Sequence, residues 1–239
     1  MYWRTGRCFT QTKVRPQGGV ISPCLANIFL HHVLDEWYST QVVARLKGES
    51  TLVRFCDDFV MIFEYKEDAQ RVYAVLGKRF EKYGLQLHPD KTRLIDFQYR
   101  TPSHLQPMFA KTFDFLGFTH VRVMSRTGKR AMLQKTAKDR LARAISAFNI
   151  QCRRMRHWTV REQHARLCRM LRGHYAYYGI TGNGRSLGSL HHAVLRLWHK
   201  WLSRRSRQST SYLSWETFCR ILDVFPLPAP RIVHRYTRP

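Results

Sequence analysis

The residues of this chain most able to do chemistry are Asp57 and Asp58. They are adjacent carboxylates between two short apolar runs in Arg54-Phe55-Cys56-Asp57-Asp58-Phe59-Val60-Met61-Ile62-Phe63. Two like charges side by side repel unless a cation screens them, so the pair is a candidate ligand set for a divalent metal. The runs Leu52-Val53-Arg54-Phe55 and Phe59 to Phe63 are rich in β-branched and aromatic residues, which predicts a hairpin connected through Cys56-Asp57-Asp58. Aspartate is also an ordinary turn residue. On this stretch alone, a solvated hairpin tip and a metal-holding one are both open.

The elements that must position the tip lie on either side of it. Ser22 as N-cap with Pro23 at the first helical position, then Leu25, Ile28, Phe29, Val33 and Trp37 at helical spacing, predict a helix leading out of Gln17-Gly18-Gly19. A second helix is expected from Glu67-Asp68, with Val72, Leu76, Phe80 and Tyr83 inward and its end at Gly84. With the hairpin before it and the apolar stretch Leu85 to Phe97 after it, this gives a helix packed on an antiparallel sheet, an α+β palm-like layer.

From Lys135 onward the pattern is helical only. Thr136 with Asp139, and Thr159 with Glu162, have capping-box spacing. One helix would present Leu141, Ala144, Ile145 and Phe148, and a second Val160, Leu167, Leu171 and Tyr178 before stopping at Gly179. Ser186 is expected to cap a third, with Leu187, Leu190, Val194, Leu197, Trp198 and Trp201 inward. A short fourth, Trp215 to Val224, precedes the breaker Pro226-Leu227-Pro228-Ala229-Pro230. The expected organisation is an α+β domain over 1–134 and an all-α bundle over 135–239.

Charge is distributed unevenly. Residues 1–120 carry 16 Lys+Arg against 12 Asp+Glu, net +4, whereas residues 121–239 carry 25 against 4, net +21. Clustered cations that neutralise phosphates and release counterions are the main sequence-independent source of nucleic-acid affinity, so the second half points to a polyanion. A membrane-surface role would need a single basic amphipathic helix or an anchor, and no run is long enough to span a bilayer. Cys8, Cys24, Cys56, Cys152, Cys168 and Cys219 show no C-x-x-C spacing, so neither a zinc site nor a redox motif is indicated. No signal peptide precedes Met1, and a reducing cytoplasm is the expected compartment.

Four blocks occur in order: Arg15-Pro16-Gln17-Gly18-Gly19-Val20-Ile21-Ser22-Pro23-Cys24-Leu25-Ala26-Asn27-Ile28-Phe29-Leu30, the Asp57-Asp58 hairpin, Gly84-Leu85-Gln86-Leu87-His88-Pro89-Asp90-Lys91-Thr92, and Phe113-Asp114-Phe115-Leu116-Gly117-Phe118. Their order and spacing resemble the later part of the palm of group II intron reverse transcriptases, the intron-encoded proteins that also act as maturases. Arg172-Gly173-His174-Tyr175-Ala176-Tyr177-Tyr178-Gly179 and Pro230-Arg231-Ile232-Val233-His234-Arg235-Tyr236 resemble that family's thumb, or maturase-specific X region. The resemblance covers nearly everything after Val14.

It implies RNA-directed DNA synthesis by nucleotidyl transfer with two Mg²⁺ ions. Asp57 matches the principal metal carboxylate and Asp58 its neighbour, both catalytic. Phe55 and Cys56 stand where the family usually has Tyr and Ala. Gln17, Gly18, Gly19, Phe55 and Lys91 match positions near template and nucleotide, and Phe115, Leu116 and Gly117 match the primer grip. Arg172, His174, Tyr175, Tyr177 and Tyr178 combine cations with stacking surfaces; of these Arg172, His174 and Tyr175, together with Arg153 and Arg154, are expected at the RNA, while Trp198 and Trp201 are expected in the core. The implied partners are group II intron RNA and an RNA template/DNA primer duplex, in a bacterial cytoplasmic ribonucleoprotein.

The family also takes a metal-binding Asp from an upstream strand, beside a fingers domain. Here no acid precedes Asp35, the 16 residues before Gln17 are expected to be too few for that strand, and Met1 to Lys13 find no place in the resemblance. Two carboxylates without a bridging ligand predict crippled catalysis, unless a separate fingers/palm polypeptide completes the site. The alternative is a non-catalytic RNA-binding splicing cofactor. Appended DNA-binding and endonuclease modules are not expected.

Overall fold

A computed structural model describes residues 21–89, 92–96, 112–124, 128, 130–205 and 213–236, together with the backbone of 2–10. The chain divides into two compact units, Met1–Leu116 and Gly117–Pro239.

In the first unit, strand β1 (Tyr2–Thr10) is followed by helix α1 (Ser22–Leu30), which continues through π-helical turns His31–Glu36 and Tyr38–Val42 into a 3-10 turn. Strands β2 (Ser50–Phe55) and β3 (Asp58–Phe63) come next, then helix α2 (Lys66–Lys82) and strands β4 (Leu85–Leu87), β5 (Arg93–Asp96) and β6 (Thr112–Phe115). The sheet order is β2-β3-β1-β4, with β5 also pairing β1, and every pairing is antiparallel. The core gathers Leu30, Val33, Leu34, Trp37, Tyr38 and Val42 against Phe59, Met61 and Phe63 of β3 and Ala69, Val72, Leu76 and Phe80 of α2. Phe59 meets Phe80 edge to face, with centroids 6.1 Å apart.

The expected inner face of α1 is only half observed. Leu25, Ile28 and Phe29 face solvent, and burial starts at Leu30. The wider π turns after Leu30 insert residues into the helical repeat. The seam therefore follows Leu30, Val33, Leu34, Trp37, Tyr38 and Val42, and a face extrapolated through Leu25 and Ile28 is out of phase. Ser22 is the first helical residue, preceded by Ile21 without a side-chain cap. Tyr83, expected inward, is exposed under the Arg79 guanidinium, 4.6 Å from its ring centroid. Buried Asp68 accepts hydrogen bonds from the backbone N–H groups of Lys47 (2.9 Å) and Gly48 (3.1 Å), fixing the turn that leads into β2.

In the second unit, strands β7 (Phe118–Met124) and β8 (Arg130–Thr136) form an antiparallel hairpin, followed by α3 (Lys138–Arg154), α4 (Val160–Tyr178), α5 (Gly184–Leu202) and α6 (Trp215–Val224). Phe148, Leu167, Leu171, Tyr175, Leu187, Leu190, Val194, Trp198 and Phe218 form its core. The Trp198 indole donates to Gln163 Oε1 at 2.9 Å inside it. The Thr159–Glu162 capping box forms as its spacing predicts.

The other two caps do not form as expected. Ala137 occupies the N-cap of α3 with no side-chain bond, and Ser186 lies inside α5, whose N-cap is Asn183. Thr136 is engaged elsewhere: its N–H donates to Asn183 Oδ1 (2.9 Å) and its hydroxyl accepts from Asn183 Nδ2 (2.8 Å). Asn183 also donates to the Tyr178 carbonyl at 2.9 Å, so one buried amide joins β8, α4 and α5. These bonds, with Ala137 N–H donating to Gly117 O at 3.0 Å, stitch the β7–β8 hairpin to the helices. The units consequently divide at Leu116 and Gly117, where the sequence pattern suggests residue 134.

Candidate metal tip and nucleic-acid face

The tip is a tight hairpin turn. Phe55 pairs with Asp58 in register, which leaves Cys56 and Asp57 as the connection and makes Asp58 the first residue of β3. Cys56 holds a left-handed φ of +53°, unfavourable for a residue with a Cβ unless its surroundings impose it. Arg54 imposes it. One Nη1 donates to the Cys56 carbonyl at 3.0 Å and to Asn27 Oδ1 of α1 at 2.8 Å. Its Nε and Nη2 grip the Asp35 carboxylate at 2.8, 3.1 and 2.6 Å. A planar guanidinium suits this forked geometry, and hydrogen bonding to Asp35 pushes the Arg54 pKa further up. None of this was read from the sequence, where the only signal was an arginine inside an apolar strand.

Asp57 is exposed at the turn and Asp58 partly so. The exposed Phe55 ring stands beside them. Among the described residues no group of three or more His, Cys, Asp or Glu could hold a metal. Two neighbouring carboxylates nevertheless suit magnesium, which keeps several waters and takes few protein ligands beside substrate phosphates.

A strand does precede Gln17, contrary to expectation. β1 lies between β3 and β4, in register from Tyr2 opposite Phe63 to Arg7 opposite Asp58. Nine residues suffice because pairing uses backbone groups, whatever side chains they carry. What β1 lacks is an acid: Tyr-Trp-Arg-Thr-Gly-Arg-Cys-Phe-Thr has no carboxylate.

Leu116, the last residue of the first unit, and Gly117, the first of the second, have φ values of +50° and +79°. A Cβ on Gly117 would stand 2.9 Å from the Tyr178 hydroxyl. Phe118 stacks on Tyr177 with centroids 5.7 Å apart and lies 5.2 Å from the Tyr178 ring. Arg153, Arg154 and Arg172 are exposed, as a role at RNA requires. Tyr175 is not: it is 1% exposed, in the seam continued from Leu167 and Leu171, and burial pushes its hydroxyl pKa up to about 12. His174 is half-buried and stacked on Tyr178 at 4.5 Å, and burial pushes its pKa down to about 4. A ring in the core cannot stack on a base, which corrects Tyr175, while half-buried His174 has one face against Tyr178. Of the stacking surfaces expected here, Tyr177 is the ring exposed at this end of α4. Gln17, Gly18, Gly19 and Lys91 lie outside the described residues.

A sequence profile for the family described as Reverse transcriptase (RNA-dependent DNA polymerase) matches residues 1–120, half of the chain. The chain belongs to the reverse transcriptase family. The match takes in Met1 to Lys13, and so gives β1 the family place that the sequence reading did not find for it. The mixed helices and antiparallel sheet of the first unit agree with a reverse transcriptase palm. No curated protein matches the chain. Among solved structures it is similar to telomerase from Candida albicans, determined with the TWJ fragment of telomeric RNA, at 13% identity and a TM-score of 0.37. That similarity covers 87% of this chain and 31% of the telomerase chain.

Proposed function

We propose that the chain is a reverse transcriptase of the group II intron-encoded, maturase type. In this reading the basic helical unit binds intron RNA and the RNA template/DNA primer duplex, in a bacterial cytoplasmic ribonucleoprotein. The observation that carries the polymerase reading is the Asp57–Asp58 tip, fixed by Arg54 through the Cys56 carbonyl in a chain whose first half matches the family.

Asp57 and Asp58 are the residues that would hold magnesium. The ion would supply charge neutralisation at the phosphate under attack and ease loss of the primer hydroxyl proton. The chain's own part is positional. Arg54 keeps the turn rigid so that the carboxylates need little reorganisation, and the exposed Phe55 ring offers an apolar surface to a base or sugar. Arg153, Arg154 and Arg172 offer guanidinium groups to phosphates.

One observation favours a second reading, that of an RNA-binding splicing cofactor without polymerase activity. The strand beside the tip carries no carboxylate and places Arg7 opposite Asp58. Catalysis would then require a third carboxylate supplied from outside this strand. Primer extension on an RNA template in Mg²⁺, with Asp57→Asn alongside, separates the readings. Incorporation that vanishes in the variant establishes the polymerase, intron RNA binding with stimulated splicing and no incorporation establishes the cofactor, and absence of all three overturns both.

A further inference from the structure

We infer that α5 carries a phosphate-binding track of its own, Arg185, His192, Arg196, Lys200 and Arg204, that holds the sugar-phosphate backbone of an RNA strand separately from the Arg172 face of α4. This deepens the RNA-binding reading above and rests on it.

All five residues are exposed, as is Ser189 among them. Their spacing places them on one side of α5 and its C-terminal turn, opposite the buried row Leu187, Leu190, Val194, Trp198 and Leu202. From His192 the positions recur every fourth residue, an advance of about 6 Å each along the axis. That is comparable to the separation of consecutive phosphates on one strand, and a single small anion would engage only one or two of them.

The ordinary reading of such a row is a solvated face balanced by acids one turn away. Elsewhere in the unit that balance exists: Asp139 pairs with Arg143 and Glu216 with Arg220, and Glu162 closes the Thr159 capping box. Along α5 it does not, because no Asp or Glu occurs anywhere from Gln163 to Trp215. Like charges four residues apart destabilise a helix, and an anion laid along the row removes the penalty. Arg205 next door is engaged, donating to the carbonyls of Arg156 and Trp158. Among the described residues the track cations make no such bond.

Part of the track is also prearranged. The Trp201 indole donates to Asn149 Oδ1 at 2.8 Å, and Lys200 Nζ and the Arg204 guanidinium lie over that ring at 5.5 and 5.8 Å. Cation–π contact gathers two heads at one edge before any ligand arrives. Apart from the His192 imidazole the track holds no exposed ring among the described residues, unlike the α4 end with Tyr177, so the contact is mainly to the backbone and tolerant of sequence. An anionic membrane is the weaker partner, because α5 has no exposed large apolar residue to enter it.

The test uses the full chain and a fluorescein-labelled RNA hairpin, with affinity measured across salt concentrations. Each lost phosphate contact lowers the slope of log K against log salt by about 0.7–0.9, so Arg196→Gln/Lys200→Gln/Arg204→Gln is expected to lower it by about 2–3. A charge-keeping triple, Arg196→Lys/Lys200→Arg/Arg204→Lys, should restore most of the slope. Arg185→Gln, remote from Trp201, should lower it by about one contact and keeps the test decisive where the triple variant fails to fold. The effect of Arg169→Gln/Arg172→Gln on α4 should add to that of the triple. An unchanged slope in a folded triple variant that binds RNA overturns the track, as does loss of binding to phosphatidylserine vesicles with RNA binding intact. Absence of salt-dependent RNA binding in the unmodified chain overturns the RNA-binding reading itself.

Discussion

Arg54 and Asp35 are joined by three hydrogen bonds, although 19 residues separate them and they lie on a strand and a helix. The pair is largely shielded, with 14% and 27% of the two side chains exposed. The same guanidinium reaches the carbonyl of Cys56, next to Asp57. The link therefore acts on the backbone of the tip.

Breaking it should loosen the tip and destabilise the first unit. Asp35→Ala leaves a half-buried guanidinium without its partner, and we expect a loss of about 1–3 kcal/mol. Arg54→Lys keeps the charge but offers no fork, so it should recover less than half of that loss. Urea unfolding curves for the three proteins check this. A loss below about 0.5 kcal/mol for Asp35→Ala, the usual range of a surface change, would show that the pair does not hold the tip.

The hairpin was legible because its strands are adjacent in sequence and its turn residues announce themselves. The Asp35 contact was not, since nothing local distinguishes Asp35 from any helical surface acid. β1 was missed for a related reason: a strand is defined by its partner, and β3 lies some fifty residues away. The π turns after Leu30 leave no signature in apolar spacing, so Leu25 and Ile28 were assigned to a face they do not occupy. In the second unit the apolar spacing located α4, but the helix puts Tyr175 inward and Tyr177 outward, which only the packing decides.

Gly117 is required by both its backbone and its neighbour. At φ +79° a Cβ is strained, and it would also meet the Tyr178 hydroxyl at 2.9 Å. Gly117→Ala should destabilise the second unit by about 1–3 kcal/mol. Adding Tyr178→Phe removes the oxygen and should return part of the loss, leaving the strain of about 1 kcal/mol. A double-mutant cycle on thermal melts reads the difference. Strict additivity of the two changes would show that the hydroxyl does not press on the turn.

His174 should give the helical unit an acid-sensitive stability. Burial holds its pKa near 4, below the ordinary histidine value of 6.5, so the folded state favours the neutral ring while the unfolded chain takes up the proton. The unfolded state thus binds more protons over this window, and stability is full above about pH 6.5 and falls as pH drops toward 4, by on the order of 2 kcal/mol. His191, lowered first by burial and then by His192, adds in the same direction. His174→Phe should flatten the profile between those limits and leave RNA affinity at neutral pH unchanged. An affinity loss in that variant would return His174 to the RNA surface.

The Arg face and the core of the helical unit should respond oppositely to substitution. Arg153, Arg154 and Arg172 are exposed, so reversing all three to Glu should weaken binding of structured RNA and reduce its salt dependence. Stability should change by less than about 0.5 kcal/mol per site, since no cap or core contact is removed. Trp198 is fully buried, bonded to Gln163 and packed edge to face on Phe218 at 5.7 Å. Trp198→Ala leaves a large cavity and an unpaired amide, and should destabilise the unit by about 3–5 kcal/mol. Binding titrations and melts on the same samples decide the matter. An Arg variant that unfolds, beside a Trp198 variant that melts normally, would mean that the helix faces are reversed and the basic surface is structural.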